Sequence, residues 1–159
     1  MGSSLYVTGR ALLNMPAQQI HDLYKLRVDV FVNEQQAPYA EIDDVDPHPG
    51  THHLLAYSSP PLTLVGTARV FGPAEDQHIG RVCVHKDFRR QGIASKLMDE
   101  ALEVCRARAA ALDPTTQTAQ VTLEAQTYIQ DFYADYGFQA EGEEFDLDGV
   151  PHVRMRLVL

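Results

Sequence analysis

The apolar positions of this chain change periodicity along its length, which predicts a fold that mixes strands and helices. Residues 5–13 are predicted to form a first strand. A helix is predicted from Pro16, because proline is tolerated at the first helical position, to about Glu34. Within it, Leu23 and Phe31 belong to a stripe of apolar side chains spaced three or four residues apart. We expect this stripe to pack against a sheet.

The remaining chain is predicted as a long loop at 33–49 followed by strands and helices. The strands are predicted at 52–57, 62–71, 77–84, 121–125, 139–147 and 152–159, and the helices at 92–110 and 127–136. Three consecutive strands favour an antiparallel half, and a strand, helix and strand in succession favour one parallel pair. The predicted fold class is therefore α/β, with a mixed, mostly antiparallel central sheet flanked by helices in a single domain over 1–159.

A basic turn joins the strand at 77–84 to the helix at 92–110. The strand ends with Val82, Cys83 and Val84, and the segment that follows includes Arg89, Arg90, Gln91, Gly92, Ile93, Ala94 and Ser95. The start of a helix has backbone N–H groups without intrahelical partners and a partial positive charge. Small residues let an anion approach these amides, and the arginines add mobile positive charge. This segment therefore predicts a site for an anion such as a diphosphate.

Composition and net charge limit the classes of partner and the location that we expect for this protein. The formal net charge of −9 argues against nucleic acid as a partner. No apolar run is long enough to predict a membrane span, and the N-terminal segment lacks the apolar block of a signal peptide, so a cytoplasmic protein is expected. Cys83 and Cys105 are expected to be small buried hydrophobic residues without a chemical role.

The long loop and its surroundings carry acidic and histidine side chains. The acidic ones are Glu41, Asp43, Asp44 and Asp46, and the histidines are His48, His52 and His53. The acidic residues either form a solvated loop or attract a cationic substrate. The spacing of the histidines matches no standard zinc frame, and the loop lacks the glycine and terminal glutamate of a calcium loop. No metal site is predicted.

Two motifs in chain order resemble the GNAT superfamily of N-acetyltransferases. Arg89, Gly92 and Ala94 match the Arg-x-x-Gly-x-Ala spacing of that family's coenzyme A pyrophosphate loop. Tyr133 precedes the pair Gly137-Phe138 by four residues, as does a tyrosine in the family. The N-terminal half and the C-terminal segment resemble the ElaA-like subfamily, so the resemblance covers nearly the whole chain.

The resemblance implies an enzyme that moves an acetyl group from acetyl-CoA to an amine by direct attack in a ternary complex. Coenzyme A, the co-substrate, would contact residues 82–84 and 89–95, together with Gln126 and Tyr133. Tyr133 is expected to act as general acid at the sulfur. Glu34 is the first choice for the base, and Glu124 and His78 are alternatives. The strand at 82–84 is expected to separate from its neighbour, and His152 either lines the acceptor cleft or is a half-buried strand residue.

The expected partner is a small-molecule or peptide amine, and it is cationic if the acidic loop attracts it. Neither nucleic acid nor a membrane is expected as a partner. A homodimer is compatible with the sequence.

Two alternative functions remain. Arg27, Phe31 and the acidic residues 43–46 resemble the N-terminal half of the autoinducer synthases, which use acyl carrier protein and S-adenosylmethionine. A non-catalytic acyl-CoA sensor or interaction domain would also keep the loop.

Overall fold

A seven-stranded sheet organises the protein, in a computed structural model that describes residues 4–36, 40–113, 115, 118–147 and 149–159. The strands are β1 (Ser4–Arg10), β2 (His52–Ser59), β3 (Thr63–Phe71), β4 (Asp76–Val84), β5 (Gln120–Gln126), β6 (Gln139–Leu147) and β7 (Val150–Val158). Their order is β1-β2-β3-β4-β5-β7-β6, and all neighbours are antiparallel except β4 and β5. The predicted mixed, mostly antiparallel sheet is confirmed.

Helices pack on both faces of this sheet. They are α1 (Ala17–Arg27), which continues directly into a π-helical segment (Val28–Glu34), α2 (Ile93–Ala109) and α3 (Gln130–Ala134). On one face, Leu97 of α2 and Tyr133 of α3 join one core with β-strand residues such as Ile79. On the other face, Leu23 and Phe31 of the predicted stripe pack in a second core. The apolar stripe of α1 is therefore confirmed as buried.

Two predicted elements are shorter in the structure. The predicted first strand ends at Arg10, because this residue pairs with His53 and β2 begins only one residue earlier, at His52. The residues after β1 instead form a 3₁₀ turn at Leu12–Asn14. The helix predicted at 127–136 likewise begins with a 3₁₀ turn at Thr127–Ile129 before α3. Part of the predicted loop at 33–49, residues 37–39, lies outside the described residues.

Among the described residues, no helix has the length and apolar character needed to cross a bilayer.

Candidate active site

The parallel strands β4 and β5 separate halfway along their length. They pair only at Asp76–Gln120, Gln77–Val121 and His78–Thr122. Beyond His78, β4 continues to Val84 and β5 to Gln126 without further pairing between them. A bulge at Arg81, which has a positive φ of 52°, changes the register of β4 against β3 at this point. The expected separation of residues 82–84 from the neighbouring strand is therefore confirmed.

A cavity of about 1150 Å³ opens at this separation, and it collects the residues that the sequence singled out. Every predicted site residue except Gln91 lines it. The lining set is Glu34, Val82, Cys83, Val84, Arg89, Arg90, Gly92, Ile93, Ala94, Ser95, Gln126 and Tyr133. The strand edge, the basic turn and α3 thus form a single site.

The basic turn has the backbone conformation of an anion-binding loop. Arg90 and Gly92 both have positive φ values, 63° and 77°. Gly92 immediately precedes α2, and apart from its own chain neighbours no atom of the described residues lies within 4 Å of the position where its Cβ would be. The positive φ therefore explains why glycine occupies this position, and the missing side chain leaves the space beside the loop open. Backbone amides in such turns, followed by a helix N-terminus, form a concave site that favours phosphate groups.

Glu34 and Arg89 form an ion pair across the mouth of the cavity. Arg89 donates from both terminal nitrogens to the carboxylate, at 2.5 and 2.7 Å, and its Nε donates to the carbonyl of Val84 at 3.2 Å. The hydrogen bond from Arg89 is the largest cause of the lowered pKa of Glu34. A carboxylate with a lowered pKa is a weak proton acceptor. In this structure Glu34 thus anchors Arg89, and its role as the base stays a prediction.

Tyr133 lies at the inner wall of the cavity. Its side chain is 6% exposed, and its ring contacts Phe132 and Phe138 in edge-to-face arrangements. Burial, with a smaller contribution from Tyr128, raises its pKa to about 12. No hydrogen bond to the Tyr133 hydroxyl occurs within the described residues. The hydroxyl is therefore a neutral donor that remains available to a ligand in the cavity.

Gln126 connects the two sides of the cavity. Its Nε2 donates to Oε1 of Gln35 at 3.3 Å, which joins the end of β5 to the end of the π-helical segment. Gln126, one of the predicted coenzyme A contacts, thus already has a protein partner. A ligand in the cavity would share this amide or displace its bond.

Three titratable side chains line the cavity on the other face of the sheet from α2. Glu124 is exposed, and His78 is half-buried with Nδ1 3.3 Å from Oγ1 of Thr122. His152 is 8% exposed and donates from Nδ1 to the carbonyl of Val150 at 2.8 Å. Burial is the largest cause of the lowered pKa of His78. His78 is thus an uncharged imidazole near pH 7, whereas the buried Nδ1–H of His152 is held by the backbone.

A network of buried ion pairs, which the sequence does not predict, lies beside the site. Arg27 is 1% exposed and donates to Glu41 at 2.9 Å and to Asp46 at 2.5 Å. Arg69 donates to Asp43 at 2.8 Å and to Asp46 at 2.9 Å. The expectation of a solvated acidic loop is therefore wrong, because three of its four carboxylates are paired with arginines.

The network also neutralises much of the negative charge that the sequence gives this loop. Arg81 approaches Glu41 at 3.1 Å and Asp43 at 3.5 Å, so three arginines balance three carboxylates. Only Asp44 of the acidic set is exposed. Three of the four acidic side chains are therefore paired with arginines, and the attraction of a cationic substrate to this loop stays a prediction. No single local motif predicts this network, because its partners are 14 to 40 residues apart along the chain.

The two cysteines are buried thiols. Burial raises the pKa of Cys83 to about 12 and that of Cys105 to about 11, and both thiols are free. Within the described residues, no three His, Cys, Asp or Glu side chains converge on a point that a metal ion could occupy.

The chain resembles proteins of one family in both sequence and structure. A family model described as an acetyltransferase (GNAT) domain matches residues 9–159. A UPF0039 protein of Schizosaccharomyces pombe is 35% identical over 148 residues, which cover 92% of each chain. An acyl-CoA N-acyltransferase from Pseudomonas aeruginosa is 35% identical with a TM-score of 0.81, over 96% of this chain and 99% of that one. Escherichia coli ElaA is 30% identical with a TM-score of 0.82 over the same shares.

A more distant likeness bears on the autoinducer-synthase alternative. The structure of a CoA-dependent acyl-homoserine lactone synthase has a TM-score of 0.73 and 17% identity, over 99% of this chain and 83% of that one. At this identity the likeness shows a shared fold alone.

Proposed function

The chain belongs to the GNAT acetyltransferase family, and on that premise we propose that it transfers an acetyl group from acetyl-CoA to an amine of a small molecule or peptide. The observation that carries the proposal is the separation of β4 from β5 beyond His78, next to the anion-binding turn and the hydroxyl of Tyr133. An extended ligand with a diphosphate at one end matches this succession of groups.

Each part of the site fits one part of coenzyme A. The turn before α2 offers backbone amides and two arginines to the diphosphate. The edge of β4 at residues 82–84 has no strand partner on the β5 side, so its backbone groups are available to the amides of the pantetheine arm. We place the thioester beside Tyr133, which lines the same cavity.

The transfer forms a carbon–nitrogen bond and breaks the carbon–sulfur bond of the thioester, in one complex of enzyme, acetyl-CoA and amine. The departing sulfur gains negative charge, which a neutral hydroxyl donor stabilises. A tyrosine with a pKa of about 12 stays protonated throughout the physiological range and donates to the sulfur at every pH in that range. Its role is thus to hold and deliver a proton at the sulfur.

Turnover with a panel of amines tests this proposal. Polyamines, amino acids, aminoglycosides and peptides with free N-termini are incubated with acetyl-CoA, and both the released thiol and the acetylated amine are measured. The expected result is equal amounts of the two products with at least one amine. If the chain binds acetyl-CoA and no amine accelerates thiol release, it is a sensor rather than an enzyme. S-adenosylmethionine with acyl-CoA or acyl carrier protein, as a separate arm, tests the autoinducer-synthase alternative.

A further inference from the structure

We propose that His78 is the catalytic base of the transfer, and that its Nε2 takes the proton from the attacking amine. This assignment rests on the proposed function, which supplies the reaction. It differs from the sequence-based choice of Glu34, which the structure pairs with Arg89.

The first support is the position of His78 in the sheet. His78 is the last residue of β4 that pairs with β5, so it stands where the two strands begin to separate. Side chains alternate between the faces of a strand. Ile79 belongs to the core under α2, and Gln77 donates to the carbonyl of Cys105 in α2. His78 therefore faces the other side of the sheet, while Tyr133 approaches the same opening from the α3 side.

This arrangement separates the two proton transfers in space. The amine must lose a proton on one side of the thioester carbon, and the sulfur must gain one on the other side. With Tyr133 and His78 on opposite faces of the opening, each group serves one of these two atoms.

The second support is the orientation of the imidazole. Nδ1 lies 3.3 Å from Oγ1 of Thr122, and a donated Nδ1–H leaves the lone pair on Nε2. The ring also contacts Phe71, with 4.9 Å between ring centroids, which restricts its rotation. Within the described part of the chain, no protein group forms a hydrogen bond with Nε2. In the tautomer that donates Nδ1–H to Thr122, the nitrogen that has the lone pair is thus the one without a protein partner.

Gly80 provides the space next to that nitrogen. Gly80 follows His78 on the same face of β4, and both residues line the cavity. A Cβ built on Gly80 would lie 3.7 Å from Cδ2 and 3.8 Å from Nε2 of His78. The Cδ2–Nε2 edge of the ring thus points along β4 toward the opening, and the absence of a side chain leaves room there for an amine.

The third support is the electrostatic environment, to which β4 itself and three other strands contribute. The charged groups that face His78 are Glu124 of β5, Arg69 of β3, Arg154 of β7 and Asp76 of β4. Burial outweighs the carboxylates and lowers the pKa, so the imidazole is free to accept a proton at neutral pH. Glu124 then lies close enough to stabilise the imidazolium that forms.

The proton balance of the step is complete with these two residues and solvent. The neutral amine attacks the carbonyl carbon, a carbon–nitrogen bond forms, and the nitrogen proton moves to Nε2 of His78. The carbon–sulfur bond breaks with its electron pair on sulfur, which receives the proton of Tyr133. Solvent removes the proton from His78 and restores that of Tyr133, so the products are the amide and the free thiol.

The test is the variant His78→Ala, assayed with acetyl-CoA and the panel amine that the unaltered chain acetylates fastest. We expect turnover to fall roughly 10²- to 10⁴-fold, the usual range for a positioned base. Added imidazole should restore part of the activity, in proportion to its unprotonated fraction, because the vacated space opens onto the cavity. The exposed His21→Ala serves as the matched control, with unchanged turnover and no response to imidazole.

Two further variants distinguish a catalytic role of His78 from a purely structural one. Gly80→Val places a branched side chain beside Nε2 and should lower turnover while the affinity for coenzyme A alone, measured by calorimetry, is unchanged. Thr122→Val removes the hydroxyl that contacts Nδ1. It should lower turnover less than His78→Ala does, and it should shift the acidic limb of the pH profile of kcat.

The possible failures are distinguishable. If the unaltered chain binds coenzyme A but acetylates no amine, the proposed function is overturned and the assignment of His78 with it. If the chain acetylates an amine and His78→Ala retains full turnover, only the assignment of His78 is overturned. A loss that imidazole does not restore, together with weaker binding of coenzyme A, would also contradict it, since His78 would then be a structural residue.

Discussion

Tyr133 combines a buried ring with a hydroxyl that has no partner within the described residues. A buried tyrosine normally finds a hydrogen-bond acceptor, so the unpartnered hydroxyl at the wall of the cavity indicates a ligand-binding role. The raised pKa, about 12, has burial as its main cause. At the scale of a single residue, this is the feature most closely tied to thioester chemistry.

Tyr133→Phe should therefore lower kcat by about 10²-fold or more, with little change in the affinity for coenzyme A, because only the donor to the sulfur is lost. Steady-state kinetics and calorimetry together measure the two effects. Tyr6→Phe, at the exposed edge strand β1, is the matched control and should behave like the unaltered chain. Equal kcat in Tyr133→Phe would remove the tyrosine from the mechanism.

Glu34→Gln tests the second residue-scale claim, that Glu34 anchors Arg89 and does not accept the proton. The ion pair is partly exposed, with side chains 38% and 41% accessible, so it is worth about 1 kcal/mol or less. We expect the dissociation constant of coenzyme A to change by about fivefold or less and the pH profile of kcat to keep its shape. Loss of the acidic limb with a large fall in kcat would instead identify Glu34 as the base.

At the scale of elements, the ion-pair network holds the loop before β2 against α1. Arg27 projects from the last turn of α1 and satisfies two carboxylates of the loop and the carbonyl of Glu41. Asp46 is fully buried, and its backbone carbonyl contacts Nε2 of His53 in β2 at 2.9 Å. The loop is thereby fixed next to the opening between β4 and β5.

Arg27→Met should lower the free energy of unfolding by about 3–5 kcal/mol, because it leaves Glu41 and Asp46 buried without their main partner. Urea denaturation measures this change. Lys25→Met is the matched control on the same helix, since its pair with Asp29 is exposed and should cost less than about 1 kcal/mol. Similar losses in both variants would show that the buried pairs do not hold the loop.

Elements with a local signal were predictable from the sequence, and contacts between distant segments were not. The stripe of α1, the turn at Gly92 and the helix start after it follow from local periodicity and backbone preference. The pairing of Glu34 with Arg89 depends on tertiary packing that brings residues 55 apart into contact. The shorter β1 has a similar origin, because its length is set by where β2 begins.

For the whole molecule, one buried and two half-buried histidines couple folding to pH. Burial is the main cause of the lowered pKa values of His52, His53 and His78. The unfolded chain, with pKa values near 6.5, then binds more protons than the folded one as pH falls through that value. Stability is therefore fully present above about pH 6.5 and is lost as pH decreases toward the folded pKa values.

Denaturation at pH 7.5 and at about pH 6 checks this dependence, and we expect a lower free energy of unfolding at the lower pH. His53→Asn should reduce the difference between the two pH values, because His53 is 1% exposed and no longer titrates in the variant. A chain that becomes more stable over this interval would contradict the assignment of these histidines as neutral in the folded state.

Amide hydrogen exchange with and without coenzyme A reports where on the sheet the co-substrate binds. If coenzyme A binds between β4 and β5, exchange slows at residues 82–84 along the edge of β4 and at residues 92–95 at the start of α2, with no change at the distant strand β1. Unchanged exchange at both segments in the presence of saturating coenzyme A would show that this opening is not the coenzyme A site.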